Sequence, residues 1–548
     1  MEDFVHLHVH THYSILDGQS KINNLVDKAV ADGMKGMAIT DHGVMYGIKE
    51  FADYCAKINK KRKAEGLDPF KPIFGCEMYV AHRRKEDKVK EKGDNSGYHL
   101  IVLAKNYNGY KNLIKLVSRA WIDGYYYRPR TDRQDLERYH EDLIVCSACL
   151  AGEIPSKILR GDIAGAREAC EWYQRVFGSD FYLELQRHEV KDPHLIANRE
   201  VYPYQVKANK VLVELAKEYN IKLVCSNDCH FENKETAEAH DHLLCLSTQK
   251  DLDDPQRLRY TKQEWFKTRE EMNEIFAADL PEALSNTLEI LDKVEIYSID
   301  HGPIMPFFPI PERFGTEEQW RQKFTEADLY KEFTSDENGQ NPLPEAEAKA
   351  VIDRLGGYDK IYRIKFEADY LAHLAYKGAE KCYGVPIPQE VDEHIRFELH
   401  VMKTMGFPGY FLIVQDFINA ARTELGVWVG PGRGSAAGSV VAYCLGITKI
   451  DPLKYDLLFE RFLNPDRVNL PDIDTDFDDD GRGKVLRWVM DKYGHENCAH
   501  IITYQAMATK NSIKDVARVE KLPLERSNAL CKAIPDRLPG DLKMNLTN

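Results

Sequence analysis

The sequence has no apolar run long enough to cross a bilayer, although 43% of its 548 residues are hydrophobic. Its first residues also lack a secretory pattern, because histidines interrupt their only apolar stretch. We therefore expect a cytoplasmic protein with no membrane partner. Twelve cysteines are unremarkable for this length, and in a reducing compartment they are thiols or metal ligands rather than disulfides.

The chain also lacks an excess of positive charge. It has 74 Lys and Arg residues against 88 Asp and Glu residues, which gives a net charge of −14. This balance excludes a protein that coats nucleic acid through overall basicity. It leaves room for a nucleic-acid enzyme, because local basic stripes can contact phosphates while carboxylates hold metal ions. The sequence contains no internal repeat, and its length predicts more than one domain.

Short β-rich runs separated by helical patterns fill the first half of the chain. The runs cover residues 4–10, 36–40, 72–80, 99–104, 143–148, 181–186 and 221–228. This alternation predicts parallel β/α units, and seven runs predict a barrel or near-barrel with its site at the C-terminal strand ends. A proline-rich stretch within 286–325 reads as a connector to a more helical region.

Histidines occupy every second position near the start, at 6, 8, 10 and 12. In an extended segment they share one face. Further imidazole, carboxylate and thiolate donors follow other strand runs, among them Asp41, His42 and Asp228. Because such donors bind Zn, Mn or Fe, their recurrence predicts one pocket holding several metal ions. Spacing alone leaves open whether the metal is catalytic or only structural.

These residues resemble the polymerase-and-histidinol-phosphatase (PHP) family, through HVHTHYSILDG, ITDHG, GCEMYV, YHLIVLAKN, CSACLAGE and NDCH. The resemblance implies a distorted (β/α)7 barrel over 1–283 with metal-dependent phosphoesterase chemistry and up to three Zn²⁺ or Mn²⁺ ions. The ligands it implies are His8, His10, Asp17, His42, Glu77, His99, Cys149, Asp228 and His230. The roles of His6, His12, Glu184 and His188 stay open between hydrogen-bond partners of the ligands and core residues.

A second pair of motifs lies in the latter half of the chain. The glycine loop GPGRGSAAGS (430–439) lets the backbone approach phosphates, but it is neither a Walker loop nor a Rossmann fingerprint and by itself indicates only a tight turn. In PDIDTDFDDD, Asp472, Asp474 and Asp476 share a face of an extended segment and repel one another unless a cation intervenes. The pattern predicts two Mg²⁺ ions serving nucleotidyl transfer, with 478–480 as a solvated loop.

Glycine loop and aspartates together resemble C-family bacterial replicative DNA polymerases, as do GFPGYFLIVQDF and IITYQAMATKNSIKDVARV. The resemblance implies a nucleotidyltransferase-like mixed α/β palm over 284–505, with an insertion near 315–390, and the start of a helical thumb over 506–548. It implies Mg²⁺ on the catalytic residues Asp474 and Asp476. It assigns nucleotide binding to Arg433, Gly434, Ser435 and Lys510.

The partners that this resemblance implies are primer–template DNA and deoxynucleoside triphosphates, with a sliding clamp and other replisome subunits in the full-length protein. The family palm also uses a third aspartate, far beyond Asp476, that these 548 residues do not include, so we expect them alone not to polymerise DNA. The PHP site is then a 3′–5′ exonuclease or another phosphoesterase. Two alternatives stay open: a free-standing PHP phosphatase, and a non-catalytic metal-stabilised scaffold that docks a proofreading subunit.

Overall fold

The computed structural model describes residues 2–190, 199–301, 304, 306–464, 471–535, 537–538 and 542–543. The chain forms two compact units, Met1–His301 with Gln505–Asn548, and Gly302–Tyr504. The predicted first domain ends at residue 283, whereas helix Pro281–Lys293 runs across that position and packs against strand Lys222–Cys225 in the first unit. Within the described part of the chain, no helix combines the length and the apolarity that crossing a membrane requires.

A seven-stranded sheet forms the centre of the first unit. Its strands are β1 (Gly36–Ile39), β2 (Lys71–Val80), β3 (Tyr98–Ala104), β4 (Arg130–Thr131), β5 (Leu143–Cys146), β6 (Phe181–Leu185) and β7 (Lys222–Cys225). They pair in the order β1-β2-β3-β5-β6-β7, with β4 on β2. Six of the predicted runs coincide with these strands. The expectation of uniformly parallel pairing is wrong for β3, which runs antiparallel to β2 and β5, because it follows β2 without a crossover α-helix.

The first predicted run, 4–10, closes the sheet without forming a regular strand. On one side His6 and Val9 accept backbone hydrogen bonds from Ala38 and Thr40, and on the other His10 donates to Cys229. His6 and Val9 are three positions apart in the sequence, whereas Ala38 and Thr40 are two positions apart. The extra residue interrupts the ladder as a bulge does, so only the Val9–Cys229 bridge has regular strand geometry.

Helices surround this sheet and bury their apolar faces against it. They are α1 (Ile22–Ala31), α2 (Ile48–Ala64), α3 (Tyr107–Ile122), α4 (Arg133–Arg138), α5 (Glu153–Leu159), α6 (Ile163–Phe177), α7 (Tyr202–Tyr219), α8 (Ala237–Thr248), α9 (Arg269–Phe276) and α10 (Pro281–Lys293). The core between them includes the buried side chains of Phe4, Ile73, Ile101 and Leu183. Burying aliphatic and aromatic side chains on this scale is the main favourable contribution to folding.

The second unit is helical. Its helices are α11 (Glu317–Lys323), α12 (Glu326–Phe333), α13 (Glu345–Leu355), α14 (Tyr358–Tyr383), α15 (Gln389–Thr404), α16 (Pro408–Thr423), α17 (Val440–Cys444) and α18 (Asp479–Tyr493). A short connection separates α15 from α16, and Pro408 begins α16 as the first helical residue. The predicted insertion has an apolar cluster of its own, which includes Leu329, Phe333 and Ile361.

The mixed palm sheet expected in this unit is reduced to one bridge among its described residues. That bridge joins Val429, just before the glycine loop, and Phe477, just after Asp476. Gly430 still donates to the carbonyl of Asp476, but the next residue is Pro431, which has no N–H to continue a ladder.

Two more helices, α19 (Thr509–Val519) and α20 (Leu524–Ala533), belong to the first unit, as does the short hairpin β8 (Arg537–Leu538) and β9 (Leu542–Lys543). The predicted thumb residues therefore start with two helices. Just after α19, Glu520 lies 2.6 Å from Nε2 of His242 on α8. Lys521 pairs with Asp253 in the loop after α8, at 2.8 Å.

Thr40 provides a test of how the N-terminal segment is held. Its buried hydroxyl accepts a hydrogen bond from the Val9 N–H at 2.9 Å. We expect Thr40→Val to lower the free energy of unfolding by about 1–3 kcal/mol, because the shape is kept while the Val9 donor loses its partner. Urea unfolding measures the change. Thr248→Val, at an exposed position on α8, is the control, and an equal loss in both variants would contradict this account.

Candidate metal centre

The nine predicted PHP ligands converge at one end of the sheet of the first unit. Three overlapping groups have donor atoms within 4.8 Å of one another: His10, His42 and His230; His8, His10 and Asp228; and His42, Glu77 and His99. Asp17 and Cys149 complete the set, with Asp17 Oδ2 2.8 Å from His42 Nε2 and Cys149 Sγ 3.6 Å from His99 Nδ1. Side chains separated by more than 200 residues in sequence thus share one pocket.

Several donor atoms in this cluster are buried and lack a hydrogen-bond partner among the described residues. They are His8 Nε2, His10 Nε2, His42 Nδ1, Glu77 Oε2 and Asp228 Oδ1. They nevertheless lie close together, since His8 Nε2 is 3.0 Å and His10 Nε2 is 3.3 Å from Asp228 Oδ1. Leaving a buried polar atom unpaired costs about 1–3 kcal/mol. Bound cations satisfy all five at once, so this donor set fits a metal centre.

Strand ends position the ligands. His42 follows β1 and forms a parallel bridge with Glu77 of β2. His99 opens β3, and because β3 is antiparallel to β2, its first residues lie beside the end of β2, with His99 opposite Tyr79. Cys149 follows β5, and Asp228 with His230 follows β7.

Backbone strain marks three of these connections. Leu16, Ala148 and Asp228 adopt left-handed conformations, with φ of 60°, 60° and 48°. Leu16 and Ala148 directly precede the ligands Asp17 and Cys149. Such conformations cost about 1–3 kcal/mol each for residues other than glycine and persist where the surrounding structure holds them.

Buried partners fix the orientation of the two central histidines. His8 Nδ1 donates to Glu184 at 2.7 Å, which leaves Nε2 directed at the cluster. His10 Nδ1 lies 2.9 Å from Ser14 Oγ, whose own proton goes to Asp41 at 2.7 Å. His10 therefore donates from Nδ1 and presents the lone pair of Nε2. Neighbours of this kind set tautomer and ring orientation in metal sites, and Glu184 is thus a hydrogen-bond partner rather than a core residue.

Burial and mutual charge set the protonation of the cluster. Burial opposes ionisation of Glu77, but His99, His42 and His8 hold its pKa well below its usual range. Burial, with His42 and His230 nearby, lowers the pKa of His10 to about 3. Burial opposes protonation of His8 as well, yet Asp228 and the other carboxylates raise its pKa well above the ordinary value. Protons on such imidazoles are what an incoming cation displaces.

The remaining histidines lie outside the cluster. His6 Nε2 contacts the Lys267 carbonyl at 2.8 Å, and its ring packs on Phe266. His12 keeps 40% of its side chain exposed, and His188 is buried against Asn227, 3.1 Å from its carbonyl. A partner that the sequence did not indicate is Tyr260, whose hydroxyl lies 3.1 Å from Asp17 Oδ1. It sits in a loop with no strand pattern, so no periodicity pointed to it.

In the second unit, the glycine loop and the aspartate motif are neighbours. Arg433 Nη1 lies 3.0 Å from Asp474 Oδ2, and its Nε lies 3.3 Å from Asp476 Oδ1. Gly434 has φ of +71°, and a Cβ there would lie 3.1 Å from Asp474 Oδ2. Only glycine suits both the conformation and this approach. Ser435 is exposed on the same loop, whereas Lys510 lies on α19 in the first unit, so their nucleotide contacts stay predictions.

Two acidic side chains near the glycine loop have structural roles. Glu398 on α15 is buried and accepts from Ser439 Oγ at 2.6 Å and from the N–H groups of Val440 and Val441, which fixes the start of α17. Burial raises its pKa to about 7. Asp478 was predicted to be solvated, but it caps α18 and accepts from the Trp428 N–H at 2.7 Å. The Asp478 carboxylate differs from a solvated loop residue because it accepts hydrogen bonds from backbone N–H groups, and the spacing of aspartates in the sequence does not reveal such bonds.

Comparisons with known proteins agree with these two sets of residues. A PHP domain model matches residues 6–188, and a model described as the bacterial DNA polymerase III alpha NTPase domain matches residues 369–548. The chain is 41% identical over 542 residues to a DNA polymerase III subunit alpha from Borreliella burgdorferi, covering 98% of this chain and 41% of that protein. The chain is thus similar to bacterial DNA polymerase III alpha subunits along nearly its whole length.

A second relative, the DNA polymerase III subunit alpha of Thermus aquaticus, is 40% identical over 555 residues, with 97% of this chain and 43% of that protein covered. The chain thus spans about two fifths of the length of the curated relatives it matches. A solved Bifidobacterium adolescentis chain, described as a candidate metal-dependent phosphoesterase, aligns with 41% of this chain and 87% of its own at 15% identity. Its TM-score of 0.24 is too low to carry an argument.

Metal content tests the centre directly, with two histidines two residues apart as a matched pair. We expect His10→Ala to lose bound metal after dialysis, because Nε2 of His10 belongs to two of the donor groups. His12→Ala should keep it, since that ring faces solvent. Elemental analysis by mass spectrometry measures the stoichiometry. Equal metal content in both variants would contradict the assignment.

Chelation provides an independent check on the same centre. A ligand that binds only the folded state raises stability as its concentration rises above its dissociation constant. We expect EDTA to lower the melting temperature of the wild-type chain and of His12→Ala, while leaving His10→Ala nearly unchanged. If EDTA leaves the melting temperature of the wild-type chain unchanged, no bound metal stabilises the fold.

Proposed function

We propose that the metal centre of the first unit hydrolyses phosphate esters with up to three Zn²⁺ or Mn²⁺ ions. The observation that carries the proposal is the set of buried, unpaired donor atoms of His8, His10, His42, Glu77 and Asp228. His8, His10, Asp17, His42, Glu77, His99, Cys149, Asp228 and His230 would hold the ions. When bound, such ions lower the pKa of a bound water and neutralise charge that develops on the phosphate.

The chain's own residues prepare this chemistry. Glu77 directs one carboxylate oxygen toward His99 and the other toward His42, at 2.8 Å and 2.6 Å, so a single buried side chain can serve neighbouring ions. Glu184 and Ser14 hold the two central imidazoles in the tautomer that presents Nε2. Tyr260 positions Asp17 at the rim.

A cavity favours a catalytic centre over a purely structural one. It has a volume of about 260 Å³, opens to solvent, and is lined by Asp17 and His42 of the cluster. Structural metal sites are normally closed by protein ligands, whereas catalytic sites keep a position open for water and substrate. A scaffold needs no such opening. We therefore favour hydrolysis, with removal of nucleotides from a DNA 3′ end as the leading reaction.

For the whole protein we propose template-directed nucleotidyl transfer, as the catalytic subunit of a replicative DNA polymerase. Similarity to DNA polymerase III alpha subunits over nearly all of this chain supports it. Asp474 and Asp476 would bind Mg²⁺, and the loop that holds Arg433, Gly434 and Ser435 would receive the triphosphate. In this structure the guanidinium of Arg433 offsets the charge of both carboxylates, which are 33% and 57% exposed.

The proposal includes the division into a PHP domain, a palm and the start of a thumb, with primer–template DNA, deoxynucleoside triphosphates, a sliding clamp and other replisome subunits as partners in the cytoplasm. A free-standing PHP phosphatase would have no use for an aspartate motif beside a glycine loop. The second candidate that an observation favours is a metal-stabilised support for the polymerase, since the centre ties the N-terminal segment to β2, β3 and β7.

Hydrolysis of a mispaired primer distinguishes these two roles of the centre. We expect the wild-type chain and His12→Ala to shorten the primer from its 3′ end in Mn²⁺, and His10→Ala to be slower by about two orders of magnitude or more. Denaturing gel electrophoresis measures the products, and circular dichroism verifies folding. If no variant shortens the primer while His10→Ala melts at a lower temperature, the structural role is correct.

The palm assignment requires the full-length protein. We expect Asp474→Asn to abolish primer extension, because a carboxylate that binds catalytic metal cannot be replaced by a neutral amide. Asp480→Asn, an exposed residue on α18, is the control and should extend primers normally. Both variants should retain 3′ hydrolysis by the PHP centre. Normal extension by Asp474→Asn would refute the assignment.

A further inference from the structure

The cavity beside the metal centre is lined by aromatic and basic side chains that the proposed chemistry does not use. Besides Asp17 and His42 of the cluster, its wall includes Trp121 at the end of α3 and Arg128 in the following loop. The rest of its lining includes Leu244, Ser247, Thr248 and Leu258, from α8 and the loop after it. The cavity thus combines metal ligands with an aromatic ring and a cationic side chain.

Trp121 is exposed yet held in a fixed orientation. Its indole N–H donates to the carbonyl of Gly43 at 2.8 Å, one residue after the ligand His42. Its ring stacks on Tyr125, with centroids 5.5 Å apart and planes 23° from parallel. The two side chains are 42% and 49% exposed. Folding normally buries such large apolar rings, so two stacked rings left open beside a cavity form a ready surface for a planar ligand group.

Arg128 adds a positive charge to the cavity, and no carboxylate among the described residues forms an ion pair with it. Its guanidinium lies 5.8 Å from the centroid of Tyr79, whose ring packs against the ligand histidines His42 and His99. Two nearby arginines have partners within the protein: Arg130 donates to backbone carbonyls, and Arg133 donates to glutamate side chains. The guanidinium of Arg128 is thus free to meet an anion that enters the cavity.

The geometry points to a nucleotide subsite at this mouth, in which an unpaired base stacks on Trp121 and Tyr125 while Arg128 contacts a phosphate near the metal centre. Arg128 and Trp121 line the same cavity as Asp17 and His42, so a base and its phosphate can be engaged together. A base paired in a duplex has its faces covered by neighbours, so the platform selects a frayed or single-stranded end. The subsite rests on the proposed phosphoesterase function and gives its substrate an unpaired nucleobase.

Binding of a short 5′-labelled oligothymidylate to the 548-residue chain tests the subsite without requiring turnover. The strand carries a phosphorothioate at its terminal linkage and ends either in thymidine or in an abasic residue, and fluorescence anisotropy in Mn²⁺ measures its dissociation constant. We expect Trp121→Ala to weaken binding of the thymidine-ended strand roughly tenfold and to change the abasic strand by less than about twofold. Trp121→Phe should restore most of the lost affinity.

Arg128→Gln should weaken both strands alike and reduce the salt dependence of binding, because a phosphate contact does not read the base. Tyr204→Ala on α7 and Arg175→Gln on α6 remove an exposed ring and an exposed guanidinium elsewhere, and should change neither strand. Displacement of the strand by free thymidine monophosphate is a further outcome. If Trp121→Ala weakens binding of the monophosphate by the same factor as binding of the thymidine-ended strand, the subsite is confirmed with a free nucleotide as its ligand.

Three results would overturn the subsite: no measurable binding by the wild type, equal affinities for Trp121→Ala and Tyr204→Ala, or an equal loss by Trp121→Ala on both strands. These outcomes are separate from failure of the phosphoesterase proposal, which is read from hydrolysis by the wild type against His10→Ala on an unmodified strand. If the chain binds the strand through Trp121 but does not hydrolyse an unmodified strand, the subsite is supported and the phosphoesterase proposal fails.

Discussion

Glu77 lies buried in β2 with imidazole rings directed at both of its carboxylate oxygens. His99 and His8 face one oxygen at 2.8 and 3.4 Å, and His42 and His10 face the other at 2.6 and 3.4 Å. A carboxylate in such a place is tolerated only when positive charge surrounds it. The imidazoles around Glu77 of β2 come from the N-terminal segment, from the residues after β1 and from β3, so these elements meet at this carboxylate. The same arrangement of donors fits a metal centre.

The second unit handles negative charge differently. Asp474 and Asp476 are partly exposed, and a single guanidinium, that of Arg433, offsets both. Exposed pairs of this kind contribute little to stability and exchange partners readily. The buried cluster of the first unit therefore fits the proposed resident ions, whereas the exposed aspartates of the second unit fit the proposed binding of Mg²⁺ together with a substrate.

An open cavity is the feature that led us to propose a catalytic rather than a structural metal centre. Its cavity exposes Asp17 and His42 to solvent, and Trp121 and Arg128 line the same cavity, with Tyr125 stacked on Trp121. Positioned aromatic rings and a free guanidinium are what recognition of a nucleotide requires. The cavity thus offers the proposed phosphoesterase reaction both an opening for water and a surface for its substrate.

The sequence by itself determined the donor types, their positions after β-rich runs and the two motif families, because side-chain chemistry and alternation are local properties. All nine predicted ligands meet in the structure, and six of the seven predicted runs are strands. Tertiary structure alone decided that β3 is antiparallel, that a bulge interrupts residues 4–10, and that Asp478 caps a helix. It also brought Glu184, Tyr260 and Trp121 to the site. These depend on which backbone and side-chain groups meet across long separations, and no local period encodes that.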